Sequence, residues 1–348
     1  MADPAVQKAL LKVLMSLPTP VLRVMSGGGV VYQGGRTLDP RFQFLASGAK
    51  RMPAMSSLTA EDARAGSASG LAAMAGKPEP GVRIENLSID GLGGALKLRA
   101  YRPAEQDPTA PIMIYAHFGG GVIGDLETSD VFCQILARIA RCAVLSVDYR
   151  LAPEHRFPAG LDDVLAAYRW GRDNAARFGA PDGQASIGGD SMGGNFAAVV
   201  AQEMKRNGEP QPALQLLIYP AVDVASETQS MTTYADAYPL SRDTMNWFMA
   251  HYIGPDADPV DPRLSPIKTE DLKGLAPAIV STAGFDPLVD QGECYAKRLK
   301  DAGVPVIYRC YDSLAHGFTA FTGAIPCADV ACREIAGFVR QAYDGMLK

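Results

Sequence analysis

The stretch Ala185-Ser186-Ile187-Gly188-Gly189-Asp190-Ser191-Met192-Gly193-Gly194-Asn195 constrains the fold more than any other part of the chain. Ala185 to Gly188 read as the end of a short buried strand, and the small and apolar residues from Asn195 onward read as a helix. Between them lies Gly189-x-Ser191-x-Gly193, the pattern of a nucleophile elbow. A strand that turns sharply into a helix holds its corner residue in a strained backbone conformation. Side chains two residues before and after the corner would collide, so glycine stands at both places. The corner serine is thrust out of the turn, and the first N–H groups of the helix face any oxyanion that forms beside it. Glycine supplies 35 of the 348 residues, so the pattern alone is a weak signal; a glycine-rich phosphate cradle has the same look. The rest of the chain decides between them.

Val82 to Leu87 and Leu96 to Tyr101 alternate apolar with polar residues, with glycines between, and predict a hairpin of half-buried strands. Pro111 to Ala116, Ala143 to Val147, Leu214 to Tyr219 and Ala278 to Thr282 are nearly all apolar, as central strands covered on both faces should be. Val304 to Tyr311 is the last strand. Helical spacing runs through Leu161 to Phe178, Phe196 to Met204, Gln291 to Ala302 and Asp329 to Met346. Strands alternating with helices imply an α/β fold, a mainly parallel sheet with helices on both faces, with ligands at the carboxyl ends of the strands.

Two segments stand outside this alternation. Residues 1 to 80 read as helical and loop-like, with a flexible link at Ser26 to Gly35, a helix start at Asp39-Pro40 and another at Thr59 to Asp62. Residues 221 to 277 form a long insertion, too long for a turn, within which Ser241 caps a helix over Arg242 to Tyr252. Together the two predict a helical cap over a catalytic domain made of residues 81 to 220 and 278 to 348.

The net charge of −5, with no basic block, argues against nucleic acid or an anionic membrane surface as the main partner. No stretch approaches the roughly 20 apolar residues of a membrane span. Val6 to Leu17 read as an amphipathic helix rather than a signal peptide, since Asp3 leads it and Lys12 divides its apolar residues. The six cysteines form no close pair of metal-ligand spacing, so no metal is expected. Cys133, Cys142, Cys294 and Cys310 lie in apolar-rich stretches and read as buried, reduced thiols of a cytoplasmic protein.

A serine hydroxyl needs a base within reach and a third group to orient that base. His316-Gly317-Phe318 follows the last strand at its carboxyl end, the rim where Ser191 stands, whereas His251 falls in the insertion helix and His155 in a proline-flanked loop. Asp286 stands just past the strand before, with Asp290 one helical turn further on as the rival, read otherwise as a helix cap. Ser, then Asp, then His is the chain order of α/β-hydrolases. His117-Phe118-Gly119-Gly120-Gly121 follows directly on the strand ending at Ala116, and its backbone N–H groups with that of Met192 make a three-donor oxyanion hole.

Four segments resemble the bacterial hormone-sensitive-lipase-like esterases: His117 to Asp125, Asp148 to Ala159, Gly189 to Gly194, and Asp286-Pro287-Leu288 with His316-Gly317-Phe318. Tyr295, Leu299, Ala302, Gly303, Val304 and Pro305 extend the likeness, which spans most of residues 80 to 345. The resemblance implies an eight-stranded α/β-hydrolase sheet with a cap built from the N-terminal helices and an insertion after the sixth strand. It gives Ser191, Asp286 and His316 the catalytic roles, and Gly119, Gly120 and the Met192 N–H the oxyanion role. It implies hydrolysis of short- to medium-chain acyl esters without a cofactor, and homodimers through the edge strand. The chain departs from the family pattern at Phe118, where a glycine is expected, at Gly121, where an aromatic is expected, and at Met192, where alanine is commoner. Asp148, Arg150, Glu154 and Asp190 read as partners in structural networks. The competing functions are hydrolysis of another acyl bond (amide, lactone or acetylated sugar) and a non-catalytic ligand-binding relative.

Overall fold

A computed structural model describes residues 11 and 13–347 of the chain. Eight strands form one sheet in the order β10-β9-β8-β7-β5-β6-β4-β3. They are β3 (Val82–Gly91), β4 (Gly94–Pro103), β5 (Ile112–Ala116), β6 (Val144–Val147), β7 (Ala185–Asp190), β8 (Gln215–Ile218), β9 (Ala278–Phe285) and β10 (Val306–Ala315). The hairpin β3–β4 is antiparallel and joins β6 antiparallel; every other pairing is parallel.

Alternation along the central strands divides their side chains between two cores, as a pleated strand must. Ile112, Ile114 and Ala116 of β5 face one core, Met113 and Tyr115 the other. The first core is closed by helices α5 (Ala159–Asp173), α6 (Met192–Arg206) and α9 (Val289–Asp301), the second by α4 (Asp130–Ala140) and α10 (Pro326–Tyr343). With both faces covered, β5 through β9 bury every residue, which is why those segments read as unbroken apolar runs.

The remaining helices come from the two segments outside the alternation. The N-terminal segment supplies α1 (Thr19–Met25), α2 (Pro40–Ala49) and α3 (Ala60–Met74), and the insertion supplies α7 (Gln229–Thr233) and α8 (Arg242–Tyr252). Asp39 caps α2 through the Arg41 N–H, Thr59 caps α3 through the Asp62 N–H, and Ser241 caps α8 through the Thr244 N–H. The two segments meet where Trp247 Nε1 donates to the Leu58 carbonyl at 3.2 Å. Asn195, on the helix below Ser191, roots the insertion by donating to the carbonyls of Ala221 and Leu264.

Two expectations are corrected here. The segment read as free of strands and linked flexibly at its glycines holds a short antiparallel hairpin, β1 (Tyr32–Gln33) with β2 (Arg36–Thr37), turned by Gly34 and Gly35. Cys294 is exposed and Cys310 only half-buried. The helix around Cys294 is in fact polar on average; α9 is amphipathic and turns that position to solvent while Tyr295 and Leu299 enter the core. The helix expected over Val6 to Leu17 lies partly outside the described residues; 13–15 are helical.

Candidate active site

Ser191 stands between β7 and α6 with φ +55° and ψ −116°, a conformation a non-glycine residue adopts only under constraint. The constraint is packing. A methyl on Gly193 would lie 1.9 Å from the Ala116 carbonyl oxygen, and one on Gly189 would lie 2.3 Å from the Gly193 backbone. Strand β5 thus ends directly against the turn, and only glycine fits on either side of Ser191.

His316 leaves the end of β10 and reaches back to this corner. Its Nδ1 lies 2.7 Å from Asp286 Oδ2, and its Nε2 lies 2.9 Å from Ser191 Oγ. A carboxylate only accepts, so Nδ1 carries the ring proton and Nε2 is left to accept from the serine hydroxyl. Asp286 is fully buried, and its second oxygen takes the Leu288 N–H at 2.8 Å. Asp290 does not join this chain; it accepts the Ser230 N–H at 2.7 Å and ties α9 to α7. His251 bonds the Trp247 carbonyl within α8, and His155 is exposed.

The loop after β5 brings its backbone to the same corner. The Gly119 carbonyl accepts from the N–H groups of Val122 and Ile123, and Gly119, Gly120 and Gly121 all have positive φ. The glycines answer contacts as well as torsions. A methyl on Gly120 would lie 2.3 Å from Phe248 Cγ, and one on Gly121 would lie 2.5 Å from Tyr252 Cδ2. An aromatic ring from the insertion therefore takes the space beside Gly121 that an aromatic at 121 would need. Met192 is the first residue of α6, so its N–H has no acceptor inside the helix. His117 supports the loop from below: fully buried, it donates Nδ1–H to the Phe118 carbonyl at 2.7 Å and stacks on Tyr149 at 4.3 Å. Burial pushes its imidazole down to about 4.

A cavity of about 690 Å³ opens over Ser191, His316, Gly119 and Gly120. Met55, Met74, Leu240, Met245, Phe248 and Met249 give it apolar walls, drawn from both the N-terminal segment and the insertion. A second concavity of about 720 Å³, between the β1–β2 hairpin and β10, contains none of these residues. Among the described residues no group of three histidine, cysteine or acidic side chains is placed to hold a metal ion, and no helix is long and apolar enough to cross a membrane.

Of the charged residues read as structural, Arg150, Glu154 and Asp190 have identifiable side-chain partners, whereas Asp148 makes only a backbone bond, to the Lys97 carbonyl, among the described residues. Arg150 forks onto the buried Asp163 through Nε and Nη2 at 2.8 and 2.9 Å. Glu154 takes a bidentate pair from Arg64 of α3, which holds its carboxyl down at about 2. Asp190 is fully buried and receives Tyr219 and Thr319, both at 2.8 Å. Tyr219 and Thr319 escaped the sequence reading. The only local signals are the Tyr-Pro pair closing β8 and a threonine three residues past His316.

A mostly parallel sheet of this order, with a serine on the strained turn after a central strand and a histidine and aspartate at the same rim, defines an α/β-hydrolase. The profile of a family described as having the alpha/beta hydrolase fold matches residues 113–320. The carboxylic ester hydrolase LipN of Mycobacterium tuberculosis is 43% identical over 88% of this chain and 84% of its own. An ethyl acetate hydrolase of Pseudomonas putida is 37% identical over 81% of this chain and 90% of its own. Among solved structures, a serine-to-alanine variant of LAE6, an α/β-hydrolase from the metagenome of Lake Arreo, Spain, superposes with a TM-score of 0.85 at 40% identity, covering 88% of this chain and 99% of that one. A hyperthermophilic esterase from Pyrobaculum calidifontis does so at 0.81 and 38%, covering 87% and 98%. The chain belongs to the hormone-sensitive-lipase-like family of α/β-hydrolases. It is a carboxylic ester hydrolase, acting on a small-molecule ester.

Proposed function

We propose that Ser191 is the nucleophile, His316 the general base and acid, and Asp286 the group that orients the imidazole. The observation that carries this reading is the unbroken chain of contacts from Ser191 Oγ to His316 Nε2 at 2.9 Å and from His316 Nδ1 to Asp286 Oδ2 at 2.7 Å. Ser191 Oγ attacks the ester carbonyl carbon while His316 Nε2 takes its proton. The tetrahedral oxyanion sits against the N–H groups of Gly119, Gly120 and Met192. As the intermediate collapses, His316 returns the proton to the departing alcohol oxygen and an acyl-Ser191 remains. Water, deprotonated by His316, adds to the acyl carbon; collapse of the second intermediate restores Ser191 and releases the acid.

The apolar walls of the cavity support short- to medium-chain acyl groups as the substrate class, with residues 1 to 80 and 221 to 277 acting together as the cap. Six unpaired cysteines support a reducing, cytoplasmic setting. The position of β10 at the edge of the sheet, flanked in part by the β1–β2 hairpin, supports a homodimer through that strand. The test is a panel of p-nitrophenyl esters from acetate to laurate with the wild type and Ser191→Ala, alongside fluorophosphonate labelling. Turnover is expected to peak at short or medium chains and to vanish in Ser191→Ala, with the label on Ser191. Wild-type turnover in Ser191→Ala would end the mechanism.

A further inference from the structure

The mechanism above leaves one buried carboxylate unused, and it adjoins the nucleophile. Asp190 is completely enclosed. Its Oδ2 receives the Thr319 hydroxyl and the Tyr219 hydroxyl at 2.8 Å each, and those two hydroxyls lie 2.5 Å from one another. Its Oδ1 lacks a well-formed hydrogen bond, the buried and otherwise unpaired Tyr115 hydroxyl acting on the carboxylate only as a loose donor. Desolvation of that kind is costly for an ionised group, so an isosteric amide, whose oxygen still accepts from both hydroxyls, would serve a purely structural purpose at least as well.

The connections explain its place. Thr319 lies on the turn Phe318–Phe321, immediately after His316-Gly317. Asp190 precedes Ser191. The bond between Thr319 and Asp190 therefore ties the loop carrying the imidazole to the turn carrying the hydroxyl, one link behind the contact between His316 and Ser191. Tyr219 closes the frame from the side, its ring tilted 56° against the His316 ring with centroids 4.8 Å apart.

We infer that Asp190 is a positioning residue for the reaction: through Thr319 and Tyr219 it holds His316 at bonding distance from Ser191, and its negative charge lies behind the ring that gains positive charge as it takes the serine proton. This rests on the reading of Ser191, Asp286 and His316 given above. Burial pushes the Asp190 carboxyl up to about 6, while its hydroxyl partners and the charge of His316 pull the other way. The titratable groups that face it are Tyr115 of β5, Tyr149, Tyr219, His316, Cys133 of α4 and Cys332 of α10. Of these, His316 is the one group able to carry a positive charge.

The test compares Asp190→Asn, which removes the charge at constant shape, with Thr319→Val, which removes the tether and leaves the charge. Tyr219→Phe, which keeps the ring against His316, stands in if Asp190→Asn does not fold. Each is assayed for kcat, KM and the pH dependence of kcat/KM on a short p-nitrophenyl ester, and for thermal midpoint. Asp190→Asn is expected to lower kcat by about tenfold or more with KM within about twofold, and to move the acidic limb of kcat/KM to lower pH by about half a unit. Thr319→Val or Tyr219→Phe should lower kcat by about threefold to tenfold with the limb in place. Wild-type kcat and an unmoved limb in Asp190→Asn, even with a lower melting temperature, would make the network merely structural and overturn the inference. The same result from Tyr219→Phe, should it be the variant in hand, would also overturn it. Failure of the underlying triad reading shows separately, as retained turnover in Ser191→Ala.

Discussion

The Phe248 ring lies against the backbone of Gly120 so closely that a methyl there would sit 2.3 Å from Phe248 Cγ. An insertion helix and the loop after β5 are thus in van der Waals contact beside Ser191. Gly120→Ala is expected to lower kcat by about a hundredfold or more, as loss of one oxyanion donor does, because the clash would displace the N–H proposed above to meet the oxyanion. Adding Phe248→Ala should return part of that loss, because the ring is one of the two obstacles and the φ of +62° is the other. A double variant no better than Gly120→Ala alone would assign the whole effect to the torsion.

Asp286 and Asp290 are both acids at the start of α9, yet only Asp286 meets His316. Asp286→Asn should lower kcat by up to about ten-thousandfold, the loss seen when the corresponding carboxylate of a serine protease becomes an amide. Asp290→Asn should stay within about threefold of wild type, since its carboxylate serves the Ser230 N–H. Steady-state rates on one short ester separate the two.

Arg64 reaches from α3 to the loop that bears Gly119 and Gly120. It donates to the Val122 carbonyl at 2.8 Å and the Ala152 carbonyl at 2.7 Å, besides pairing with Glu154. Arg64→Met should cost about 1–3 kcal/mol of stability, because two partly buried carbonyls lose their donor. It should also lower kcat more than it raises KM. Arg64→Lys should restore only part of both, since an ammonium cannot fork between two carbonyls and a carboxylate. Calorimetry and kinetics on the three proteins check this.

Two buried groups should drive acid stability in opposite directions. His117 is held down at about 4, so between pH 6.5 and 4 the unfolded chain binds a proton that the folded one refuses, and stability falls as pH falls. Asp190 is held up at about 6, so between pH 6 and 4 the folded chain binds the extra proton, and stability rises as pH falls. In the wild type the two slopes largely cancel between pH 6 and 4. Relative to wild type, His117→Gln should gain stability on acidification over that range and Asp190→Asn should lose it, each by about 1.4 kcal/mol per pH unit at most. Urea titrations at pH 6, 5 and 4 read the sign directly; equal slopes in all three proteins would refute the pairing.

The central strands and the elbow were legible because their physics is local. A strand buried on both faces must be apolar throughout, and a serine on a corner between a strand and a helix needs glycine two residues either side. The caps at Asp39, Thr59 and Ser241 were legible for the same reason, each being a side chain bonded within three residues. Cys294 was misread because the apolar residues near it, Tyr295 and Leu299, lie on the other side of a polar, amphipathic helix. The hairpin at 32–37 was missed because strands of two residues carry no alternation.

What the chain order alone determined was the sheet, the turn at residue 191 and the candidates for its partners. Only the tertiary structure decided that Asp286 rather than Asp290 meets His316, that Phe248 and Tyr252 press on Gly120 and Gly121, and that Asp190 is joined to the histidine loop through Thr319. Those relations link residues dozens to more than a hundred positions apart. Nothing in the spacing of side chains along one segment encodes how far another segment will reach, so they exist only once the sheet has closed and the insertion has packed upon it.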